Sequence, residues 1–266
     1  MAILTVSREF GSDGEEIART IAHDMGYILV DRKTILDDMK QAGKQWGEYG
    51  EQFDERSPSL WERHDWSFRG YVALSQSIIF EYAAKDNVVL IGRGGNFLLK
   101  GMPHALRVRI TMPTEERIQK IIKRDDVNHD TAKWLVEKVD SEMSRHVHFI
   151  YGKDWNEPAE YDAVYNRGTT SKEEIVTAIK AALAEKETLK TDEARKALRL
   201  RSVAAKVKAG IATNPKFLLP TLEVEPQGTG IILRGVTHNP KEHARIEEEA
   251  KKLAGDVPVI CALHYR

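Results

Sequence analysis

Short apolar runs of strand length recur along the first 170 or so residues, and a stretch long enough for a helix separates each from the next. Residues 2–6, Tyr27–Val30, Val88–Ile91, Leu106–Ile110 and Tyr161–Asn166 are such runs. After the first run, Ile17, Ala18, Ile21, Ala22 and Met25 recur at helical spacing and stop at Gly26. Further helices are predicted from about Lys33, with Asp31 placed to cap it, and over about 60–84, 114–124, 130–150 and 171–186. The stretch 43–58 is less regular and carries Trp46, Tyr49 and Phe53 among glycines and charges. Strands alternating with helices predict an α/β fold, a parallel sheet with helices on both faces. Right-handed crossovers then put ligands beyond the carboxyl ends of the strands, at loops 7–14, 31–33, 92–95 and 111–117.

A second pattern follows. Residues 187–198 are charged and helix-prone and read as a linker or a helical extension. From about Leu200 come an amphipathic helix (Val203, Val207, Ile211) stopped at Asn214-Pro215, and a strand at Leu222–Glu225. A Gly228-Thr229-Gly230 turn, a strand at Ile231–Val236, a helix after Asn239-Pro240 and a last strand at Val257–Leu263 complete it. This is a small α-β-β-α-β domain.

The 266 residues are 41% apolar and 30% charged, which suits a globular chain of one large or two smaller domains. With 40 basic against 41 acidic residues, the net charge of −1 argues against a whole-surface nucleic-acid binder. One cysteine, Cys261, excludes an intramolecular disulfide and a thiolate zinc cluster, and its apolar strand suggests an inert core thiol. No apolar run approaches the ~18 residues of a membrane span. The first six residues lack a basic region and a cleavage site, so a cytoplasmic protein is expected.

Strand, glycine turn and helix start together make an anion site: backbone N–H groups converge and the helix adds partial positive charge. Gly11 and Gly14 allow close approach of a phosphate, and Ser12 offers a hydroxyl. A usual phosphate loop ends in Lys followed by Ser or Thr. Here Gly14 stands at the lysine position, and Asp13, Glu15 and Glu16 add negative charge. The plain alternative is an acidic helix start that binds nothing.

The run Ser7-Arg8-Glu9-Phe10-Gly11-Ser12-Asp13-Gly14, continued to Ile17-Ala18, resembles the cytidylate-kinase-like family, relatives of the P-loop nucleoside monophosphate kinases. Further matches follow in order: Gly26-Tyr27 before a strand ending in Asp31, Ile91-Gly92-Arg93-Gly94, Pro103–Arg107 before the fourth strand, and Tyr151-Gly152-Lys153-Asp154-Trp155 before Tyr161–Asn166. The resemblance covers roughly residues 1–186, within a domain drawn as 1–188. It implies a five-stranded parallel sheet in the order 2-3-1-4-5, and ATP with Mg2+ as cofactors of a nucleoside monophosphate kinase with a degenerate P-loop. By position it implies catalytic roles for Arg93, Arg117 and Arg124, Arg93 as the acceptor-phosphate group. Nucleotide contacts fall on Arg8, Gly11, Ser12, Asp13, Gly14, Glu15, Asp31, Lys123 and Lys153. Arginines suit phosphoryl transfer because their planar forks take phosphate oxygens in pairs. Arg8 leaves the same loop and can stand in for the absent lysine. Where the family's lid usually carries further Arg and Tyr residues, this chain has Met143, His146 and His148, with Arg145 beside them. Residues 199–266 resemble a BON domain through Gly230–Val236, Leu222-Glu223-Val224 and the helix and strand that follow. That implies a small ligand or phospholipid, although the segment has no broad basic cluster.

Several features have plainer readings. Arg93 can pair structurally with Asp31, and Arg117 and Arg124 can form a solvated helix face. His146 and His148 point apart on a helix and do not form a metal pair; no metal set is read from spacing. Trp46, Tyr49, Phe53, Trp61, Trp66 and Phe68 are read as packing. Two function classes stay open: a kinase, or a nucleotide-sensing regulator without turnover coupled to the C-terminal ligand domain.

Overall fold

The computed structural model describes residues 2–54, 61–62, 65–237 and 239–265. In chain order the elements are β1 (Ile3–Arg8), α1 (Gly14–Met25), β2 (Ile28–Val30), α2 (Arg32–Ala42), α3 (Lys44–Asp54) and α4 (Trp66–Ala84). Then come β3 (Val88–Ile91), α5 (Gly95–Leu98), β4 (Ala105–Thr111), α6 (Thr114–Asp125), α7 (His129–Tyr151) and β5 (Ala163–Asn166). The chain ends with α8 (Lys172–Thr188), α9 (Asp192–Ala212), β6 (Glu223–Gln227), β7 (Gly230–Thr237), α10 (Pro240–Ala254) and β8 (Val259–Tyr265). It divides into two compact units, Met1–Thr34 with Lys85–Lys190, and Ile35–Ala84 with Thr191–Arg266. Among the described residues no helix is long and apolar enough to cross a membrane.

The first unit is a five-stranded sheet in the order β2-β3-β1-β4-β5, every pair parallel, as the resemblance implied. Val6 sits in register with Ile91 on one side and Val108 on the other. The five residues Ile3–Ser7 of β1 and all of β3 are buried, because helices surround these central strands and leave no polar face. Ile17 and Ile21 of α1 and Ile175, Ile179 and Leu183 of α8 share one core with Leu4, Val6, Val89, Val108 and Ile110. Each fully buried aliphatic of this kind stabilises by about 1.5–3 kcal/mol. Chain direction is set by caps: Gly26 closes α1 at φ 65°, and Asp31 accepts the Thr34 N–H at 3.0 Å at the start of α2. Ser171 and Glu174 cap α8 reciprocally.

In the second unit the sequence reading of 43–58 as irregular is corrected, since α3 occupies Lys44–Asp54. Its helix propensity is low, but packing overrides that. The Trp46 ring lies 5.1 Å from Trp66, and Phe53 lies 5.1 Å from Phe68 and 5.5 Å from Tyr71. These aromatics pack, as expected, whereas Trp61 is 85% exposed. Leu60, where the long helix was expected to begin, falls outside the described residues; the described helix α4 starts at Trp66. α4 packs along α9. α9, capped by Thr191, absorbs residues 192–198 as a helical extension.

The C-terminal sheet has the order β6-β7-β8, with β6 antiparallel and β8 parallel to β7. Gly228, at φ 60°, turns the hairpin. Asn239 caps α10 with Pro240 in the first turn. Val207, Ile211, Leu222, Ile231, Leu233, Ile246, Ala250 and Leu263 form the core beneath it. Cys261, read as a core thiol, packs against that core but is only half-buried at its margin.

Gly70, in the middle of α4, decides between propensity and packing. A Cβ there would lie 2.3 Å from the Trp46 ring. At an open helix position Gly→Ala gains about 0.5–1 kcal/mol, but overpacking costs about 1–3. Gly70→Ala is expected to lower stability by about 2 kcal/mol in urea denaturation; an increase would show that the Trp46 ring yields freely.

Candidate active site

At the carboxyl end of β1 the chain turns through Gly11 (φ 81°) and Asp13 (φ 65°) into α1. Asp13 is the N-cap residue, yet its side chain does not bond back to the helix start. Instead its carboxylate meets Lys120 of α6 and Arg167, whose Nε donates at 3.2 Å. The turn opens onto a cavity of about 620 Å³ lined by residues 8–16, Arg19, Lys120, Ile121, Arg124, Val139, Asp140, Met143 and Trp155.

The loop is pinned from below by buried charges. Arg117, 5% exposed, donates to Asp140 at 2.5 Å, to the Met112 carbonyl at 3.0 Å and to the Phe10 carbonyl at 3.2 Å. Asp140 Oδ1 accepts the Phe10 N–H at 3.0 Å, so one carboxylate holds both the arginine and the loop backbone. Glu9 accepts the Met112 N–H at 3.0 Å and lies 3.5 Å from Arg109 and 3.7 Å from Arg117. Arg109 stacks on Trp155 at 4.1 Å, and Trp155 Nε1 donates to Ser7 at 2.8 Å. The Tyr-Gly-Lys-Asp-Trp motif thus closes on the strand that begins the loop.

The acidic residues of the loop, and Asp140 beside it, are all partnered. Glu9 has Arg109 and Arg117; Asp13 has Lys120 and Arg167; Glu15 has Arg19 at 2.8 Å and Arg8 at 3.9 Å; Glu16 has Lys172 at 2.5 Å; Asp140 has Arg117. Arg109, Arg117, Arg167 and Lys172 stand outside the cavity lining, whereas Arg8, Arg19 and Lys120 line it, so the carboxylates are met from both sides.

A second cationic group adjoins the first. Arg93 holds a left-handed backbone at φ 56°, an uncommon conformation for a side-chain-bearing residue. Gly94 follows because the Tyr151 ring covers it: a Cβ would lie 2.2 Å from the ring, whose hydroxyl donates to the Arg93 carbonyl at 2.7 Å. Burial, then Arg32 and Arg8, push the Arg93 guanidinium down to about 10. Arg8 reaches this group as well, its Nη1 only 2.7 Å from where a Gly92 Cβ would stand. Burial and Arg93 push His146 down to about 4.

The structure brings Arg8, Gly11, Ser12, Asp13, Gly14, Glu15 and Arg124 together around the cavity. Ser12 is buried, and its hydroxyl donates to the Glu9 carbonyl at 2.8 Å, inside the loop. Arg124 lines the wall, paired with Asp125 at 2.7 Å and 5.0 Å over Phe10. Asp31 pairs with Arg19 at 2.8 Å while capping α2. Arg117 lies beneath the loop rather than on a solvated face. Lys123 is exposed and Lys153 lies 3.5 Å from Glu160, both apart from the cavity lining. Sequence reasoning missed Lys120, Arg32, Arg167 and Glu9. For Lys120 a signal existed, since it follows Arg117 by three residues and so shares its helix face.

The family model of the cytidylate kinase-like family matches residues 3–169 of this chain. The chain belongs to the cytidylate kinase-like family. A protein named cytidylate kinase from Ignicoccus hospitalis is 25% identical over 187 residues, 69% of this chain and 99% of its own length. A crystal structure of an uncharacterised protein from Eubacterium ventriosum superposes with a TM-score of 0.55 at 17% identity, covering 69% of this chain and 99% of that one. At that identity the likeness concerns the fold, and it agrees with the five-stranded sheet. In this family member the glycine loop and the Arg93 turn lie on neighbouring strands, β1 and β3, at their carboxyl ends.

Two measurements check this site. Asp140→Ala leaves Arg117 buried beside a vacated carboxylate position and is expected to cost about 3 kcal/mol in denaturant unfolding. Asp140→Asn should cost less. For His146 the folded value lies below the unfolded ~6.5, so the unfolded chain takes up the proton first. This contribution is therefore full above pH 6.5 and is lost as pH falls toward 4. His146→Gln is expected to flatten the pH dependence of stability over that window by on the order of 1–3 kcal/mol; an unchanged slope would refute the assignment.

Proposed function

We propose that this family member transfers a phosphoryl group from ATP to a nucleoside monophosphate, with the glycine loop as donor-phosphate cradle. The observation that carries the reading is the position of Arg8. It lines the loop cavity and also stands beside Arg93, which has Arg32 as a further cationic neighbour, so a single cation adjoins both groups that a donor and an acceptor phosphate require. Lys120 reaches Asp13 from α6, and Arg124 lines the same wall. These cations supply from neighbouring elements what the loop lacks at Gly14. Phosphoryl transfer asks chiefly for alignment and charge neutralisation, which forked arginines provide.

The donor set suits the cofactors that the family implies. The cavity offers glycine backbone and cations to a polyphosphate, and the half-exposed Glu15, shared with Arg19, is a lining carboxylate that would take magnesium. When bound, magnesium supplies charge neutralisation on the phosphates. Arg8 and Arg124 then hold donor oxygens. Arg93 and Arg32 hold and orient the acceptor phosphate, and Asp31 keeps Arg19 and the start of α2 in place.

One observation favours the second reading, a nucleotide sensor without turnover. Asp13 already occupies Lys120 and Arg167, so the loop is closed on its own carboxylate. For residues 199–266 we propose a ligand-binding role of the BON type. Sedimentation of the full chain with phospholipid vesicles tests it, and protein left in the supernatant removes the lipid. A cytoplasmic location is part of the same proposal.

A coupled assay with ATP and magnesium across the nucleoside monophosphates separates the two main readings. Turnover is expected with at least one acceptor, and Arg93→Ala is expected to lower kcat/KM by about 10²-fold or more. Nucleotide binding with no product from any acceptor would establish the sensor instead.

A further inference from the structure

In the second unit, far along the chain from the glycine loop, three groups of different chemistry converge. His243 and Glu247 are four residues apart on α10 and so lie on one helix face. Cys261, Leu263 and Tyr265 alternate along β8 and so share one face of the strand. Leu263 joins the core with Ile246 and Ala250 of α10, which directs that strand face toward the helix. The imidazole, carboxylate and sulfur ligand atoms of His243, Glu247 and Cys261 all lie within 4.8 Å of one another. His243 Nε2 stands 4.0 Å from Glu247 Oε2.

The atoms around these three are arranged in a way that simple packing does not require. His243 Nδ1 lies 2.5 Å from the Tyr265 hydroxyl, and the two rings are 5.4 Å apart. With Nδ1–H donating to Tyr265, the ring presents the Nε2 lone pair toward Glu247. A second partner on the far ring nitrogen is how metal-binding histidines are oriented. Lys251 takes Glu247 Oε1 at 2.6 Å, leaving Oε2 on the side of His243. The histidine side chain is 19% exposed and the carboxylate 37%, so the cluster is reachable from solvent.

We propose that His243, Glu247 and Cys261 form a binding site for a divalent ion of the zinc class. A thiolate with imidazole and carboxylate selects zinc over magnesium or calcium, which prefer oxygen alone. The thiol releases its proton on binding, so the ion meets one thiolate and a carboxylate that it shares with Lys251. Three protein ligands leave a fourth tetrahedral position for water. The ion would tie α10 to β8 across the half-buried margin of the core. Among the described residues this is the group of three or more such ligands brought together. It is independent of phosphoryl transfer, because no residue of the glycine loop or the Arg93 turn takes part.

The test uses the full chain without an affinity tag, stripped by a chelator and titrated with Co2+ alone and then with Zn2+ alone. Expected are one equivalent of Co2+, a thiolate-to-cobalt charge-transfer band with tetrahedral visible bands, and displacement by one equivalent of Zn2+. Cys261→Ser should abolish the charge-transfer band. His243→Ala and Glu247→Gln should each weaken zinc binding about tenfold or more. Tyr265→Phe keeps the ring but loses the orienting hydroxyl and should weaken binding less. Circular dichroism of the metal-free variants reports folding; should Cys261→Ser fail to fold, the milder Glu247→Gln and Tyr265→Phe decide. A six-coordinate cobalt spectrum without thiolate absorption, or zinc binding unchanged in these folded variants, overturns the site.

Discussion

One ion pair, between the buried Arg117 and the half-buried Asp140, holds the β1–α1 loop. Arg117 and Asp140 lie beneath it, and between them they take the Phe10 N–H, the Phe10 carbonyl and the Met112 carbonyl. Glu9 adds the Met112 N–H and the neighbourhood of Arg109. A buried pair of this kind contributes little net stability against an apolar replacement, and its value lies in fixing a geometry. Here the geometry is that of a glycine turn at the end of a central strand. Because Asp140 belongs to α7 and Arg117 to α6, the loop cannot take its shape until three separate parts of the chain have met.

The same economy explains the aromatic residues of the Tyr151–Trp155 motif. Tyr151 covers Gly94 and fixes the Arg93 carbonyl, while Trp155 lies under Arg109 and reaches Ser7. One short segment therefore braces both the loop after β1 and the turn after β3. The Arg93 guanidinium is pushed down first by its burial and then by repulsion from the cations gathered there, Arg32 and Arg8. An oxyanion relieves that repulsion, and this is the physical basis for reading the pair of turns as phosphate sites. The family match runs over residues 3–169 and so includes residues 35–84, whose compact unit is shared with the C-terminal part of the chain.

Much of the fold was legible in the sequence, because period and punctuation are local. Gly26, Asp31 and Ser171 mark helix ends by backbone conformation and side-chain capping, and they do so in the structure. The stretch 44–54 was not legible. Its glycines argue against a helix until Gly50 is seen packed closely against Leu36 and Met39. Of the site, the loop glycines and Arg8 were readable, whereas the role of the acidic residues was not. Asp13 and Glu16 look repulsive toward phosphate in one dimension, yet each meets a cation more than 100 residues distant.

The sequence by itself determined the α/β class, the strand-forming runs and the glycine loop, since hydrophobic period, caps and turns act over a few residues. Tertiary structure alone decided which charges meet. It sent Arg117 inward, brought Lys120 and Arg167 to Asp13, and set Cys261 beside His243 and Glu247. The reason is that Coulomb and coordination forces depend on separation in space, and chain order says nothing about that separation until the helices have packed.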